Sequence, residues 1–102
     1  MEGVRWQVLR RVEPSVTHPG AEIVAVTVAA AEQVIGRAPA VNMRVGGSDA
    51  RLFRRVGIPT VVYGLTPFNM GGADENVLVT ELEAVARVHA VASFDFLCGA
   101  AE

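Results

Sequence analysis

Gly46-Gly47-Ser48-Asp49-Ala50-Arg51-Leu52-Phe53-Arg54-Arg55-Val56-Gly57-Ile58-Pro59-Thr60-Val61-Val62-Tyr63 is the stretch on which the fold turns. Two glycines permit a sharp backbone turn, and Ser48 is placed to cap a brief helix running through Arg51, Leu52 and Phe53. Gly57 is placed to stop it. Ile58 to Tyr63 then forms a β-branched and aromatic run, interrupted by Pro59 only at its start, as expected of a central strand covered on both faces. Just upstream, Ala40 to Val45 offers a second short strand. A strand, short helix and strand in this order imply a parallel pair with a crossover.

Outward from this unit, the remaining elements extend the alternation. Residues 4 to 12 place Val4, Trp6, Val8 and Val12 on one side and Arg5, Gln7 and Arg11 on the other, the period of a half-buried strand. Glu13 to Gly20 carries Pro14, Pro19 and hydroxyl side chains and reads as a connector before a helix that Pro19 can start. Ala21 to Ile35 has helical spacing, with Ile23, Thr27, Ala30 and Val34 on one stripe and Val24, Val28, Ala31 and Ile35 beside it; Gly36 ends it. After a loop from Gly64 to Asn76, Thr80 and Glu83 form a capping box. Leu82, Val85, His89, Ala92 and Phe96 then make an apolar stripe that needs about 17 residues of helix. The expected architecture is therefore α/β, a layered βαβαβα arrangement with at least one parallel strand pair.

Composition narrows the function classes. The 102 residues are 51% hydrophobic, enough for one modest domain or part of one. Eleven acidic and nine basic side chains give a net charge of -2, and every basic residue is arginine. Arg10-Arg11 and Arg54-Arg55 read as solvated edges, so nucleic acid is not an expected partner. Cys98 is alone and cannot form an internal disulfide. No secretory signal and no apolar run of the roughly 18 residues of a membrane span is found, so a cytoplasmic protein off the membrane is expected.

Two clusters could carry chemistry. In the first, Gly46, Gly47, Ser48 and Asp49 precede a helix N-terminus whose free N–H groups suit a carboxylate or other anion. The simpler reading of the same residues is a bland role in which the glycines make the turn and Ser48 and Asp49 cap the helix. In the second, Asn69 to Asn76 contains the adjacent acids Asp74 and Glu75. They could supply a metal ligand or general base, or simply charge the start of a helix. His18 reads as an exposed or capping residue and His89 as a satisfied core side chain on the helix stripe. Neither completes a metal site. Cys98 has no evident histidine partner for a thiol nucleophile.

Taken in order, Gly46-Gly47-Ser48-Asp49-Ala50-Arg51-Leu52-Phe53, Val56-Gly57-Ile58-Pro59-Thr60-Val61-Val62-Tyr63-Gly64 and Ala73-Asp74-Glu75-Asn76-Val77, followed by a long helix, resemble the end of a zinc-dependent aminoacylase or deacylase. The family is that of acetylornithine deacetylase and succinyl-diaminopimelate desuccinylase. The resemblance implies a partial zinc-peptidase-like catalytic domain. Residues 19–102 would be its C-terminal segment, and residues 1–18 the last strand of the smaller lid domain with its connector. It further implies that Gly46, Gly47, Ser48 and Asp49 line the substrate pocket. The family's zinc-ligating histidine before Asp-Glu would fall at about Gly71, which has no side chain to bind a metal, and the remaining ligands and the catalytic base have no counterpart here. The expectation is a truncated or stand-alone relative of a metal-dependent amidohydrolase acting on N-acyl amino acids. It would not be catalytic by itself and would hold no cofactor alone, zinc belonging to the resembling full-length enzymes. Its expected partners are a second copy or the missing N-terminal catalytic half, with a small carboxylate as ligand. The alternative is a small oligomerising module without enzymatic activity.

Overall fold

Helices appear where local signals are strongest. In the computed structural model, which describes residues 2–44 and 46–99, α1 spans Glu22–Ile35, α2 Ala50–Arg55 and α3 Val79–Cys98. Glu22 stands in the first turn of α1, where its charge favours the helix dipole. The hydroxyl of Thr27 is satisfied inside α1 by the Ile23 carbonyl at 2.7 Å. Gly36 closes α1 in the left-handed region (φ 88°), its N–H bonded to the Glu32 carbonyl at 2.8 Å. α2 ends in a Schellman arrangement: the Gly57 N–H bonds to the Arg54 carbonyl and the Ile58 N–H to the Phe53 carbonyl, each at 3.0 Å. Gly57 has φ 85° there, as its stop role requires.

Two capping expectations are corrected. Neither Ser48 nor Asp49 caps α2 through its side chain. α3 begins at Val79, one residue before Thr80, with Leu78 as N-cap and no side-chain cap, so the Thr80–Glu83 box does not form. Glu81 does the work of tying the start of α3 to the chain, accepting the Thr66 N–H at 2.8 Å. A carboxylate in the first turn that reaches an outside donor competes with the local box.

α1 and α3 pack on each other, and their contact is the core. Ala30 and Ala31 of α1 meet Val88 and Ala92 of α3, all buried, with Val26, Val34, Val91 and Tyr63 packed around them. Alanine at the crossing lets two helix backbones approach closely, so the contact is close but small in apolar volume. The α3 stripe holds for Val85 and Ala92, while Leu82 and Phe96 lie exposed and Val88 takes the central place. An extended segment, residues 60–67, meets this helix pair at Tyr63. Val61, Tyr63, Leu65 and Pro67 are half-buried and alternate with the exposed Val62, Gly64 and Thr66.

The layered α/β sheet is not formed. Among the described residues the β pairing is an isolated antiparallel bridge, Phe68 with Asn76, and there is no parallel strand pair. Residues 4–12 are exposed throughout, Trp6 by 83%, and residues 40–44 are likewise exposed and irregular; Val45, the last residue of that expected strand, lies outside the described residues. The segment expected to be covered on both faces has Val62 52% exposed. The physical reason is that strand alternation records a residue's intended surroundings, while a strand exists only when a neighbour supplies the ladder and a second layer covers the other face. Here α1 and α3 supply one layer. The Cα radius of gyration, 17.6 Å, compares with about 13 Å for a compact chain of 100 residues.

Candidate functional site

The turn singled out in the sequence lies at the surface. Gly46, Gly47, Ser48 and Asp49 are all exposed, and Gly46 has φ 115°, a conformation that favours glycine. Built side chains at Gly46 or Gly47 would meet nothing within 4 Å, so no neighbouring group demands glycine for close approach. What the turn does engage is Arg51. Its guanidinium folds back so that Nη1 donates to the Ser48 carbonyl at 2.9 Å and lies 3.7 Å from Asp49 Oδ1. The guanidinium beside this turn is thus already engaged, by the Ser48 carbonyl and by Asp49.

The second cluster forms a closed loop. The Phe68 N–H donates to the Asn76 carbonyl at 2.8 Å and the Asn76 N–H to the Phe68 carbonyl at 3.1 Å. Within it the Gly72 N–H reaches the Asn69 carbonyl at 2.9 Å and Asn76 Nδ2 the Asp74 carbonyl at 2.8 Å. Asn69 (φ 57°), Gly71 (φ 74°) and Asp74 (φ 59°) take left-handed conformations to turn the chain this sharply. Glu75 points back across the loop, its Oε2 3.4 Å from the Gly71 N–H. Asp74 and Glu75 precede α3 by several residues, so they shape the loop and do not charge the helix start.

No three His, Cys, Asp or Glu side chains gather to hold a metal among the described residues. Zinc requires three or four such donors converging on one point. Gly71, at the position where the resembling enzymes place a histidine, offers only its backbone, and that N–H is turned to Glu75. The donor set does not fit a zinc ion.

Both histidines have structural partners, but His89 is exposed and not the core side chain expected of it. His18 Nδ1 accepts the Gly20 N–H at 2.9 Å, turning the chain into α1. His89 Nε2 lies 2.9 Å from the Tyr63 carbonyl, which can only accept, so Nε2 carries the proton. The two rings meet edge to face, centroids 6.0 Å apart. His89 therefore pins the extended segment to α3. Cys98 is exposed at the end of α3.

A polar knot escaped the sequence. Thr17 donates its hydroxyl proton to the Thr60 carbonyl, and its oxygen accepts the Thr60 N–H and Arg54 Nε–H, each at 3.0 Å. Arg54 also donates from Nη2 to the Thr60 carbonyl at 2.9 Å. One hydroxyl and one guanidinium so join the connector, α2 and the extended segment. Beside the knot opens a cleft of ≈ 270 Å³ whose lining includes Glu13, Ser15, Arg51, Arg54 and Arg55. No compositional or periodic signal marks a contact between residues 43 positions apart; the adjacent Arg54-Arg55 pair was its one visible trace.

Residues 3–93 match the profile of peptidase family M20/M25/M40. Over 74 residues, 72% of the chain, the sequence is 38% identical to the succinyl-diaminopimelate desuccinylase of Nitrobacter hamburgensis. That stretch spans 18% of the length of that enzyme. No solved structure matches the chain. No helix among the described residues is long and apolar enough to cross a membrane.

Proposed function

Because the chain belongs to peptidase family M20/M25/M40, we propose that it serves as the closing segment of a metal-dependent amidohydrolase domain, walling the substrate pocket without holding the metals or the hydrolytic groups. On this reading Gly46, Gly47, Ser48 and Asp49 face a carboxylate of the substrate, with Arg51 beside them. Zinc and the base that activates water belong to residues outside this segment, on the rest of a longer polypeptide or on a separate chain. The substrate class is N-acyl amino acids, in keeping with the desuccinylase it resembles.

The observation that carries this reading is the one-sided burial of residues 60–67. Tyr63 packs on the α1–α3 core and Val61 and Leu65 are half-buried on the same alternation, while Val62 and the backbone edges are left for strands that this segment does not itself provide. Hydrolysis of N-acetyl and N-succinyl amino acids, with zinc added, tests it directly. The isolated chain is expected to show no turnover and calorimetry no stoichiometric micromolar zinc site. Zinc-dependent turnover by the chain alone would overturn the assignment.

A second reading is favoured by the exposed apolar side chains Trp6, Leu9, Phe53, Ile58 and Val62. Surfaces of this kind bury one another when no other cover is supplied, giving an oligomeric module without catalysis. Sedimentation separates the two: a stable oligomer that stays inert with the complementary catalytic half favours the module, and recovery of hydrolysis on mixing favours the closing segment.

A further inference from the structure

The cleft beside the Thr17–Arg54–Thr60 knot has the chemistry of an anion site, and it shares with the Gly46–Asp49 turn only Arg51. Three arginines, Arg51, Arg54 and Arg55, are among the residues that line one cleft whose acidic member is Glu13. Glu13 is engaged elsewhere, its Oε1 2.8 Å from Arg11 Nε in an exposed pair. Among the described residues the other ion pair is Arg51 with Asp49 at 3.7 Å. Arg54 and Arg55 therefore bring positive charge to the cleft with no carboxylate paired to either of them among the described residues.

Arg54 is also held in place before any ligand arrives. Its Nε and one Nη2 proton are spent on Thr17 and Thr60 at 3.0 and 2.9 Å, which fixes the plane of the half-buried guanidinium. A guanidinium has five N–H donors. The remaining ones, on Nη1 and Nη2, are left with a single long contact, Nη1 to Ser15 Oγ at 3.5 Å. A fork fixed by its inner edge, with the outer edge open beside a serine hydroxyl, meets two oxygens of one ligand at little further entropic cost.

We infer that this cleft binds a small oxyanion, a carboxylate or a phosphate, with Arg54 as the fixed fork, Ser15 as a hydroxyl donor and Arg55 as the adjustable second cation. The anion compensates the positive charge of Arg54 and Arg55 and links the connector to α2.

Titration of the full 102-residue chain with sodium acetate and, separately, with inorganic phosphate tests the assignment, followed by NMR at the arginine Nε–H resonances. The Arg54 and Arg55 signals are expected to move saturably, with half-saturation at about millimolar concentration for exposed charges and weakening at higher salt. Saturation by acetate alone identifies a carboxylate ligand, and by phosphate alone a phosphate ligand. Arg55→Gln is expected to weaken binding by about three- to tenfold and Glu13→Gln to tighten it by about twofold, while Arg37→Gln leaves it unchanged. Circular dichroism confirms that each variant keeps its helices. No saturable shift up to about 50 mM of either anion at low ionic strength, or equal loss in Arg55→Gln and Arg37→Gln, overturns the inference.

Discussion

Val88→Ala probes the α1–α3 contact that forms the core among the described residues. Val88, 1% exposed, is the largest fully buried side chain among the described residues, and it faces the Ala30–Ala31 pair across the helix crossing. The substitution removes two methyl groups at about 0.8 kcal/mol each, or about 1.6 kcal/mol, before any cavity is counted. Incomplete collapse of the crossing raises this to about 2 kcal/mol, since Ala30, Ala31 and Ala92 have no longer side chain to refill the space. Alanine is the better helix former, returning about 0.5 kcal/mol within α3. The net loss is about 1.5 kcal/mol. For a chain of this size it lowers the melting temperature by about 6–12 °C in far-UV circular dichroism. The matched control is Leu97→Ala on the same helix, where an 81% exposed side chain should change stability by less than about 0.5 kcal/mol. If the two variants melt together, the α1–α3 crossing is not the core and the packing argument fails.

Other perturbations address separate features. Thr17→Val keeps shape but leaves the Thr60 N–H without its acceptor and Arg54 Nε–H with only the Thr60 carbonyl at 3.2 Å, costing about 1–2 kcal/mol at this half-buried place. Hydrogen exchange at the Thr60 amide should quicken, and Thr17→Ser should restore it; unchanged exchange in the valine variant would show the knot to be idle. Gly36→Ala forces a side chain into φ 88° with no neighbour in its way, so about 1 kcal/mol of pure backbone cost should register as a lower melting temperature. Gly71→His places an imidazole where the resembling enzymes hold a metal, yet calorimetry should detect no micromolar zinc site. Glu75 is turned to the residue 71 amide and no set of three donors gathers there. Stoichiometric binding by that variant would mean that the loop already arranges the other ligands.

What could be read from the residues was what is local. Gly36 and Gly57 stop helices because a left-handed φ is a property of one residue and its turn. The 3.6-residue stripe of α3 placed Val85 and Ala92 inside for a similarly short-range reason. Residues 4–12 alternate as a strand does, but alternation cannot supply the partner, and Val4, Trp6 and Val8 stand in solvent. Thr80 and Glu83 have the spacing of a capping box, and the box lost because Glu81 found the Thr66 N–H, a competitor invisible within a four-residue window. The Gly46–Asp49 turn was visible as a turn. Its guanidinium neighbours were visible only as composition, since what brings Arg54 to Thr17 is a hydrogen bond between segments far apart in sequence.

The open face of residues 60–65 has a consequence for the life of this polypeptide in a crowded solution. Thr60-Val61-Val62-Tyr63-Gly64-Leu65 is six residues long, carries no charge, has no proline within it and is rich in β-branched and aromatic side chains. That is the composition from which cross-β fibrils grow when a bare edge meets another of its kind. Pro59 guards one end by denying the ladder a donor, and the other end is closed by Pro67. Between these two gatekeepers the ribbon is safe only while something lies upon it, so concentration and the speed of finding a cover set how long the protein remains usable.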